Sequence, residues 1–257
     1  MNNIISLMNF DGNYLSINRE ERNLAAIFYH LLLSNNNMAR FLELIKCPYP
    51  LIHNEVGVYF EYAFLRDLWF SIQNDNQTKR HLILHHLNPE KRSDLEKMSI
   101  HDFNVYFGTP NPSKNYIQSP SNWNISRFKD NISCNDEFLK TARFKWAFNT
   151  KPDIVIHTSK STAICIECKF ESSEGKYPTN KSEISEFNKR NLEKVSQTSV
   201  QKYLMDELLG IDTQFIFLVK NKNAISPTHA NYHWKDVFYA LDLSGNPDYI
   251  LKWIDQI

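Results

Sequence analysis

Glycine is scarce in this sequence, and no excess of charge of either sign is present. The chain has 6 glycines in 257 residues, beside 17 phenylalanines, 12 tyrosines and 5 tryptophans. This composition excludes a disordered or low-complexity chain and predicts a packed fold that is largely helical or mixed. Lysine plus arginine and aspartate plus glutamate each total 29. A strongly basic character for binding nucleic acid is therefore absent from the protein as a whole, although local patches can still bind it.

Long apolar runs and cysteines are also few. No stretch approaches about eighteen apolar residues, so no transmembrane helix is expected. The N-terminal segment, MNNIISLMNFDGNYLS, has neither the cationic start nor the apolar stretch of a secretory signal. The four cysteines, Cys47, Cys134, Cys165 and Cys168, are too few for a disulfide scaffold in a chain of this length. We therefore expect a cytoplasmic protein that does not associate with membranes.

The order of the predicted elements indicates a mixed α/β domain that spans residues 1–257. The segments RFKWAFN, PDIVIHT, TAICIECKF and QFIFLVK have the composition of strands. Residues Arg190–Leu209 have helical periodicity and stop at Gly210, a residue type that commonly follows the end of a helix. The sequence therefore predicts three successive strands, a helix and a further strand.

The remaining segments of this domain are assigned from their patterns. We interpret 1–52 as a helical N-terminal extension, 53–72 as a core helix, 73–140 as an insertion suited to substrate recognition, 141–220 as the core that carries the strands and any catalytic residues, and 221–257 as C-terminal helices. The aromatic residues of the insertion suit core packing better than stacking on bases. They include Tyr106, Phe107, Tyr116 and Trp123.

Two charged residues interrupt the apolar strand TAICIECKF. Because side chains alternate between the faces of a strand, Glu167 and Lys169 share one face, and Ile164 and Ile166 share the other. The isoleucine face is expected to be core. A carboxylate and an ammonium beside each other are costly to bury unless they are paired. The simplest alternative to a functional role is a structural Glu–Lys pair on a surface hairpin.

A hairpin centred on Lys160 would bring a second carboxylate to the same place. Asp153 precedes Lys160 by seven residues, and Glu167 follows it by seven. With an odd turn, these carboxylates face each other, where opposite Cβ atoms are about 4.5–5.5 Å apart. Converging oxygen ligands favour a hard divalent ion such as Mg²⁺, which could polarise a phosphodiester and activate a bound water. A one-residue shift in register would destroy this arrangement.

The motif formed by Pro152-Asp153 and Glu167-Cys168-Lys169 resembles the signature of the PD-(D/E)XK nuclease superfamily. The resemblance implies a restriction-endonuclease-like core, in which a central mixed β-sheet is flanked by helices, here with helical additions at both ends. It also implies that Asp153, Glu167 and the backbone carbonyl of Cys168 hold Mg²⁺, for which Mn²⁺ substitutes. Lys169 would then position or activate the attacking water.

Many members of this superfamily add a glutamate from an earlier helix. In Mrr-type enzymes it lies in a G-x-x-F-E pattern, which residues Gly57–Glu61, GVYFE, reproduce. The resemblance therefore implies that Glu61 is a further metal ligand or site carboxylate. Glu20, Glu21 and Glu137 are alternatives for this role.

A polar helix and several cations follow the candidate site. RecB-like relatives carry Q-x-x-x-Y on the next helix, and here QTSVQKYL has Gln197 and Gln201 four residues apart, with Tyr203 out of step. The resemblance implies only a similar polar helix that faces DNA. The nearby cations either neutralise phosphates or form a solvated face. The predicted nucleic-acid-binding residues are Lys176, Lys189, Arg190, Lys194, Gln197 and Gln201.

These observations together predict a magnesium-dependent endonuclease that hydrolyses DNA. The resemblance implies a restriction or phage-defence enzyme, and RNA stays open as a substrate. Because cutting both strands of a duplex usually takes two active sites, the expectation is compatible with a homodimer. A repair or junction-resolving nuclease is an alternative with the same chemistry. A nucleic-acid-binding module that has kept the fold and lost catalysis is an alternative of a different class.

Overall fold

The hairpin predicted around Lys160 is present in the computed structural model, which describes residues 21–170, 172–220, 229–255 and 257. Strands β2 (Ile154–His157) and β3 (Thr162–Lys169) pair antiparallel, with Ile154 opposite Ile166. Continued by one residue, this register sets Asp153 against Glu167. The predicted hairpin is therefore confirmed, and its turn is odd, which is the condition for Asp153 to face Glu167.

Three further strands extend this hairpin into a mixed sheet. They are β1 (Gly57–Phe60), β6 (Asp212–Val219) and β7 (Ala230–His233). The strand order is β1-β2-β3-β6-β7, in which β1, β2 and β3 are antiparallel neighbours, and β3, β6 and β7 are parallel neighbours. A separate two-stranded sheet pairs β4 (Lys176–Tyr177) with β5 (Val195–Ser196). The protein is thus a mixed α/β fold with a central mixed sheet.

Two hydrophobic clusters, to which helices contribute, cover the two faces of the five-stranded sheet, and twelve α-helices are present in the described residues. They are α1 (Glu21–Leu32), α2 (Asn37–Leu44), α3 (Phe64–Ser71), α4 (Asn76–Leu87), α5 (Arg92–Lys97), α6 (Ile100–Tyr106), α7 (Ile125–Phe128), α8 (Asn135–Ala147), α9 (Lys181–Lys189), α10 (Gln197–Lys202), α11 (Trp234–Ala240) and α12 (Asp248–Asp255). A 3₁₀ turn covers Pro120–Asn122, and a π-helical segment, Tyr203–Leu208, continues α10. None of the described helices is long and apolar enough to cross a membrane.

The sheet is buried on both faces, although the sequence predicts core packing only for the isoleucine face. Ile164 and Ile166 pack in one cluster with Phe28 of α1 and Trp234 of α11. On the opposite face, Cys165 packs in a second cluster that includes residues of α8 and α10. Strands covered on both faces are typical of sheets with helices on each side, which is why the strand sequences are nearly continuous apolar runs. Glu167 and Lys169 therefore lie in a buried layer.

The prediction of one core helix over 53–72 is wrong. This segment contains β1, then a residue with positive φ at Glu61 (φ 49°), and then α3. Pairing of β1 with β2 supplies backbone hydrogen bonds that a local apolar pattern does not reveal. Residues 73–140 are also more helical than expected, and Phe107 and Trp123 stack at 4.0 Å inside the cluster that covers the sheet.

Three further boundaries differ from the sequence prediction. RFKWAFN belongs mostly to α8, because buried Phe138, Ala142 and Trp146 continue a helical period that the short window hides. The helix predicted to begin at Arg190 begins instead at Gln197, where the Ser196 hydroxyl caps it, and it ends before Gly210 (φ 67°) as predicted. In the C-terminal segment, β7 precedes the two helices, and residues 221–228 lie outside the described residues.

Candidate active site

The hairpin brings together Asp153, Glu167 and Lys169. The Lys169 ammonium lies 2.6 Å from Glu167 Oε1, and the backbone N–H of Cys168 donates to Asp153 Oδ2 at 2.8 Å. The side chains of Glu167 and Lys169 are 2% and 8% exposed, so this ion pair lies inside the protein. The thiol of Cys168 points to the opposite, apolar face. The structure therefore brings two carboxyl groups and one ammonium group together at one place on the sheet.

Two glutamine side chains of the helix α10 donate hydrogen bonds to the carboxylate of Glu167. Gln197 Nε2 donates to Glu167 Oε1 at 2.8 Å, and Gln201 Nε2 donates to Oε2 at 2.7 Å. Residues four apart lie on the same face of a helix, so both amides reach one carboxylate. Gln201 is completely buried and is therefore not on a surface that nucleic acid could contact. The four-residue spacing was a signal for a shared partner, but the sequence does not identify that partner as Glu167.

The electrostatics of the site follow from its burial. Burial, together with the charge of Glu167, raises the pKa of Asp153 from its ordinary value of 3.8 to about 7. Burial by itself would lower the pKa of Lys169, but the negative charges of Glu167, Glu21 and Asp153 raise it overall. Lys169 is thus a cation at neutral pH, whereas Asp153 ionises only at a higher pH than an ordinary aspartate.

Glu21 is the glutamate of an earlier helix that reaches this site. Glu21 Oε2 lies 3.7 Å from the Lys169 ammonium, and Oε1 accepts a hydrogen bond from the backbone N–H of Phe170 at 3.0 Å. The hydroxyl of Ser172 also donates to Oε1. Burial alone would raise the pKa of Glu21, but the hydrogen bonds from Ser172 and Phe170 and the charge of Lys169 lower it overall.

Glu61 lies close to Asp153 only through its backbone. Its N–H donates to the carbonyl of Asp153 at 2.8 Å, while its carboxylate pairs with Arg22 at 2.7 Å and Lys151 at 3.5 Å. Glu137 lies elsewhere, in the first turn of α8, where burial and the charge of Glu90 raise its pKa. Glu20 lies outside the described residues.

The predicted nucleic-acid-binding cations fall into two groups. Lys176 and Lys194 are exposed, and Lys189 is exposed beside Glu186 at 3.8 Å. Arg190 is different, because its guanidinium donates to the carbonyls of Lys129, Ile132 and Ser133. It also lies 4.0 Å from the ring centroid of Phe138. Arg190 therefore ties the end of α9 to the segment before α8, and its hydrogen-bond donors face protein carbonyls.

The site offers oxygen ligands, which are the type that a hard divalent cation prefers. Among the described residues, no group of three or more His, Cys, Asp or Glu side chains is arranged to hold a metal. The ligands that the motif implies are Asp153, Glu167 and the backbone carbonyl of Cys168. A carboxylate offers about four lone-pair positions, and Glu167 already accepts from Lys169, Gln197 and Gln201. Burial first, and then the charge of Glu167, raises the pKa of Asp153, and a bound cation would favour its ionised form. Waters would complete the coordination shell, as is usual for Mg²⁺.

No protein-family model, curated protein or solved structure matches this chain. The geometry of the site is therefore the evidence for its chemistry.

Proposed function

We propose that this protein is a metal-dependent nuclease with a restriction-endonuclease-like core that hydrolyses phosphodiester bonds in DNA. The observation that carries the proposal is the hairpin register, in which Asp153 faces Glu167 while Lys169 contacts Glu167 at 2.6 Å. A purely structural ion pair needs one acid and one amine. The additional buried acid raises the electrostatic cost of the arrangement, and such costs are characteristic of functional sites.

Asp153, Glu167 and the Cys168 carbonyl would hold the cation. When bound, a divalent ion at this place polarises a phosphodiester and lowers the pKa of a coordinated water. Gln197 and Gln201 orient the Glu167 carboxylate by their hydrogen bonds, so that it needs little reorganisation during the reaction. Glu21 would act as the glutamate of the earlier helix, a role that the sequence pattern assigns to Glu61.

The protonation state of Lys169 limits its role. Because its pKa is raised, Lys169 is positively charged at neutral pH and has no free lone pair with which to remove a proton from water. In the proposed reaction it orients the nucleophile by donating a hydrogen bond and stabilises the negative charge that develops on the phosphate oxygens. A restriction or phage-defence role is the biological context that the motif implies, with repair or junction resolution as the alternative.

Cleavage of supercoiled plasmid in Mg²⁺ and Mn²⁺ tests the proposal. Wild type should nick or linearise the plasmid, Asp153→Asn should be inactive, and Lys169→Gln should lose about 10²- to 10³-fold in rate. Asp130→Asn, at an exposed position, is the matched control and should cleave like wild type. Circular dichroism checks that each variant is folded.

Cleavage that survives both site substitutions would contradict the assigned roles. Failure of wild type on supercoiled, linear, single-stranded and branched DNA would instead favour the non-catalytic binding module.

A further inference from the structure

A second feature of the chain with the character of a binding site is a groove between α3, the start of α4 and the segment around Tyr116. The groove has a volume of about 740 Å³, within the range of small-molecule sites. Its lining combines aromatic rings, cations and amides, and includes Arg66, Trp69, Phe70, Asn74, Tyr116 and Asn122. None of these residues belongs to the site around Glu167.

The aromatic residues of the groove are placed for contact with a ligand. Phe70 is 70% exposed, the largest exposed fraction among the exposed large hydrophobic residues of the described chain. Tyr116 is half-buried, unlike Phe107 and Trp123, which the core covers. Trp69 forms the buried floor, with the Lys79 ammonium 4.9 Å from the centroid of its ring. The exposed ring of Phe70 offers an apolar surface at the rim, and a ligand ring that covers it would remove both surfaces from water.

The wall that carries Tyr116 is held rigidly. Buried Asn104 donates to the carbonyl of Tyr116 at 3.0 Å, and Asn76 Oδ1 accepts from the N–H of Ile117 at 2.7 Å. The Asn76 amide also donates to the carbonyl of Asn115. These hydrogen bonds hold the segment in place without a ligand, which lowers the entropic cost of binding.

The charge in the groove favours an anionic ligand. Arg66 is half-buried and makes no ion pair or side-chain hydrogen bond within the described part of the chain. Asp67 is the acid of the lining, and its side chain is exposed. A guanidinium at the groove can therefore pair with a phosphate, while the amides of Asn74 and Asn122 can donate to and accept from the edge of a base.

We propose that this groove binds one unpaired nucleobase of the nucleic acid, stacked on Phe70 and Tyr116, with an adjacent phosphate on Arg66. Aromatic stacking accepts any base, and edge hydrogen bonds to amides add selectivity. The proposal deepens the nuclease assignment and rests on it for the identity of the substrate. It predicts a preference for DNA that has a single-stranded, bulged or flipped base near the cleavage site.

The position of the groove agrees with contact to the same DNA molecule. Trp69 packs edge-on against Phe148 at 5.5 Å, and the Asn149 amide donates to the carbonyl of Ser121 at 3.3 Å. Phe148 and Asn149 precede Asp153 by only a few positions. From Glu61, whose N–H contacts the Asp153 carbonyl, the chain to Phe70 spans at most about 20 Å. That distance corresponds to about six base-pair steps.

Binding of fluorescent DNA in EDTA tests this inference without cleavage. The probes are a single-stranded oligonucleotide, a duplex with one bulged base and the fully paired duplex. Phe70→Ala and Tyr116→Ala should each weaken binding of the first two probes by about 5- to 100-fold, and binding of the paired duplex much less. Tyr239→Ala removes a 61% exposed tyrosine beside Lys235 and is the matched control.

A direct measurement locates the base. An oligonucleotide with one 5-iodouracil should crosslink on irradiation to Phe70, Tyr116 or Trp69, as identified by mass spectrometry. An RNA version of each probe decides whether the sugar matters. Wild-type protein that binds the probes through the groove but cleaves no DNA in Mg²⁺ or Mn²⁺ would disprove the nuclease assignment and leave the groove assignment intact.

Several outcomes would overturn the groove assignment. They are unchanged affinity in Phe70→Ala and Tyr116→Ala, equal loss in Tyr239→Ala, and crosslinks elsewhere on the chain. Displacement of the probe by inorganic phosphate, at constant ionic strength, would show that the groove binds small anions and does not recognise a base. Dissociation of a dimer by Phe70→Ala, measured by sedimentation, would show that a second copy of the chain covers the groove.

Discussion

Gln201 Nε2 lies 2.7 Å from Glu167 Oε2, and both residues are almost completely removed from solvent. Gln197 holds the other oxygen of the same carboxylate. A buried carboxylate without donors would be strongly destabilised, so α10 and β3 stabilise each other at this point. The hydrogen bonds also fix the direction in which Glu167 presents its remaining lone pair.

Replacement of Gln201 by leucine should therefore reduce both stability and cleavage. The change leaves Glu167 Oε2 without its donor in a buried position, which should lower the free energy of unfolding by about 1–3 kcal/mol. The nuclease rate should fall because the carboxylate is no longer oriented. Urea denaturation and plasmid cleavage measure the two effects, with Gln77→Leu, exposed on α4, as control. Wild-type behaviour of Gln201→Leu in both assays would show that the hydrogen bond has no such importance.

The raised pKa of Asp153 predicts a pH-dependent penalty in the absence of metal. The folded protein keeps the proton up to about pH 7, whereas the unfolded chain loses it near the ordinary value of 3.8. The folded state thus binds more protons between these values, and the contribution of this group to the free energy of unfolding falls as pH rises through that window.

Asp153→Asn should abolish this penalty. In EDTA the variant should melt at a higher temperature than wild type at pH 8, and the difference should shrink towards pH 4. Added Mg²⁺ should stabilise wild type but not the variant, because only a ligand that binds the folded state raises its stability. Differential scanning fluorimetry across pH measures both effects. A variant that melts below wild type at pH 8 would contradict the buried, repelled carboxylate.

The choice between Glu21 and Glu61 can be decided by matched substitutions. Glu21→Gln should lower cleavage by about 10- to 100-fold, because Glu21 contacts Lys169 and orients it. Glu61→Gln should leave cleavage nearly intact and change stability by less than about 1 kcal/mol, because it breaks ion pairs of partly exposed side chains. Single-turnover cleavage rates measure the difference. The opposite order of effects would assign the site glutamate to Glu61.

Arg190 and Lys194 should behave differently although both are predicted from sequence as nucleic-acid-binding residues. Arg190→Ala removes donors to three backbone carbonyls and a contact with Phe138, so it should lower the melting temperature. Lys194→Ala should leave the melting temperature unchanged. It should weaken DNA binding and reduce the salt dependence of log K by about one unit.

Fluorescence anisotropy at several salt concentrations measures the slope. A reduced slope in Arg190→Ala without loss of stability would show that this arginine binds phosphate after all.

Contacts between residues close in sequence could be predicted from the sequence, whereas contacts between residues far apart in sequence could not. The turn around Lys160 joins two adjoining strands, so the alternation of side chains, together with an odd turn, predicted that Asp153 faces Glu167. The strand β1 was missed because its hydrogen-bond partner lies about a hundred residues away in β2. The helix α8 was missed because a window of seven residues alternates like a strand, while the full segment has the period of a helix.

By itself, the sequence determined the two strands on either side of Lys160, the shared face of Glu167 and Lys169, and the end of the helical segment at Gly210, because each depends on backbone geometry and side-chain period over a short stretch. The register followed from the sequence only on the condition of an odd turn, which the structure has. Only the tertiary structure decided which side chains complete the surroundings of Glu167. Gln201 comes to it across the helix–sheet interface, and Glu21 reaches Lys169 from the far end of the chain. Such contacts arise from packing of distant elements into two cores, and no local pattern of residues encodes the direction from which each element arrives.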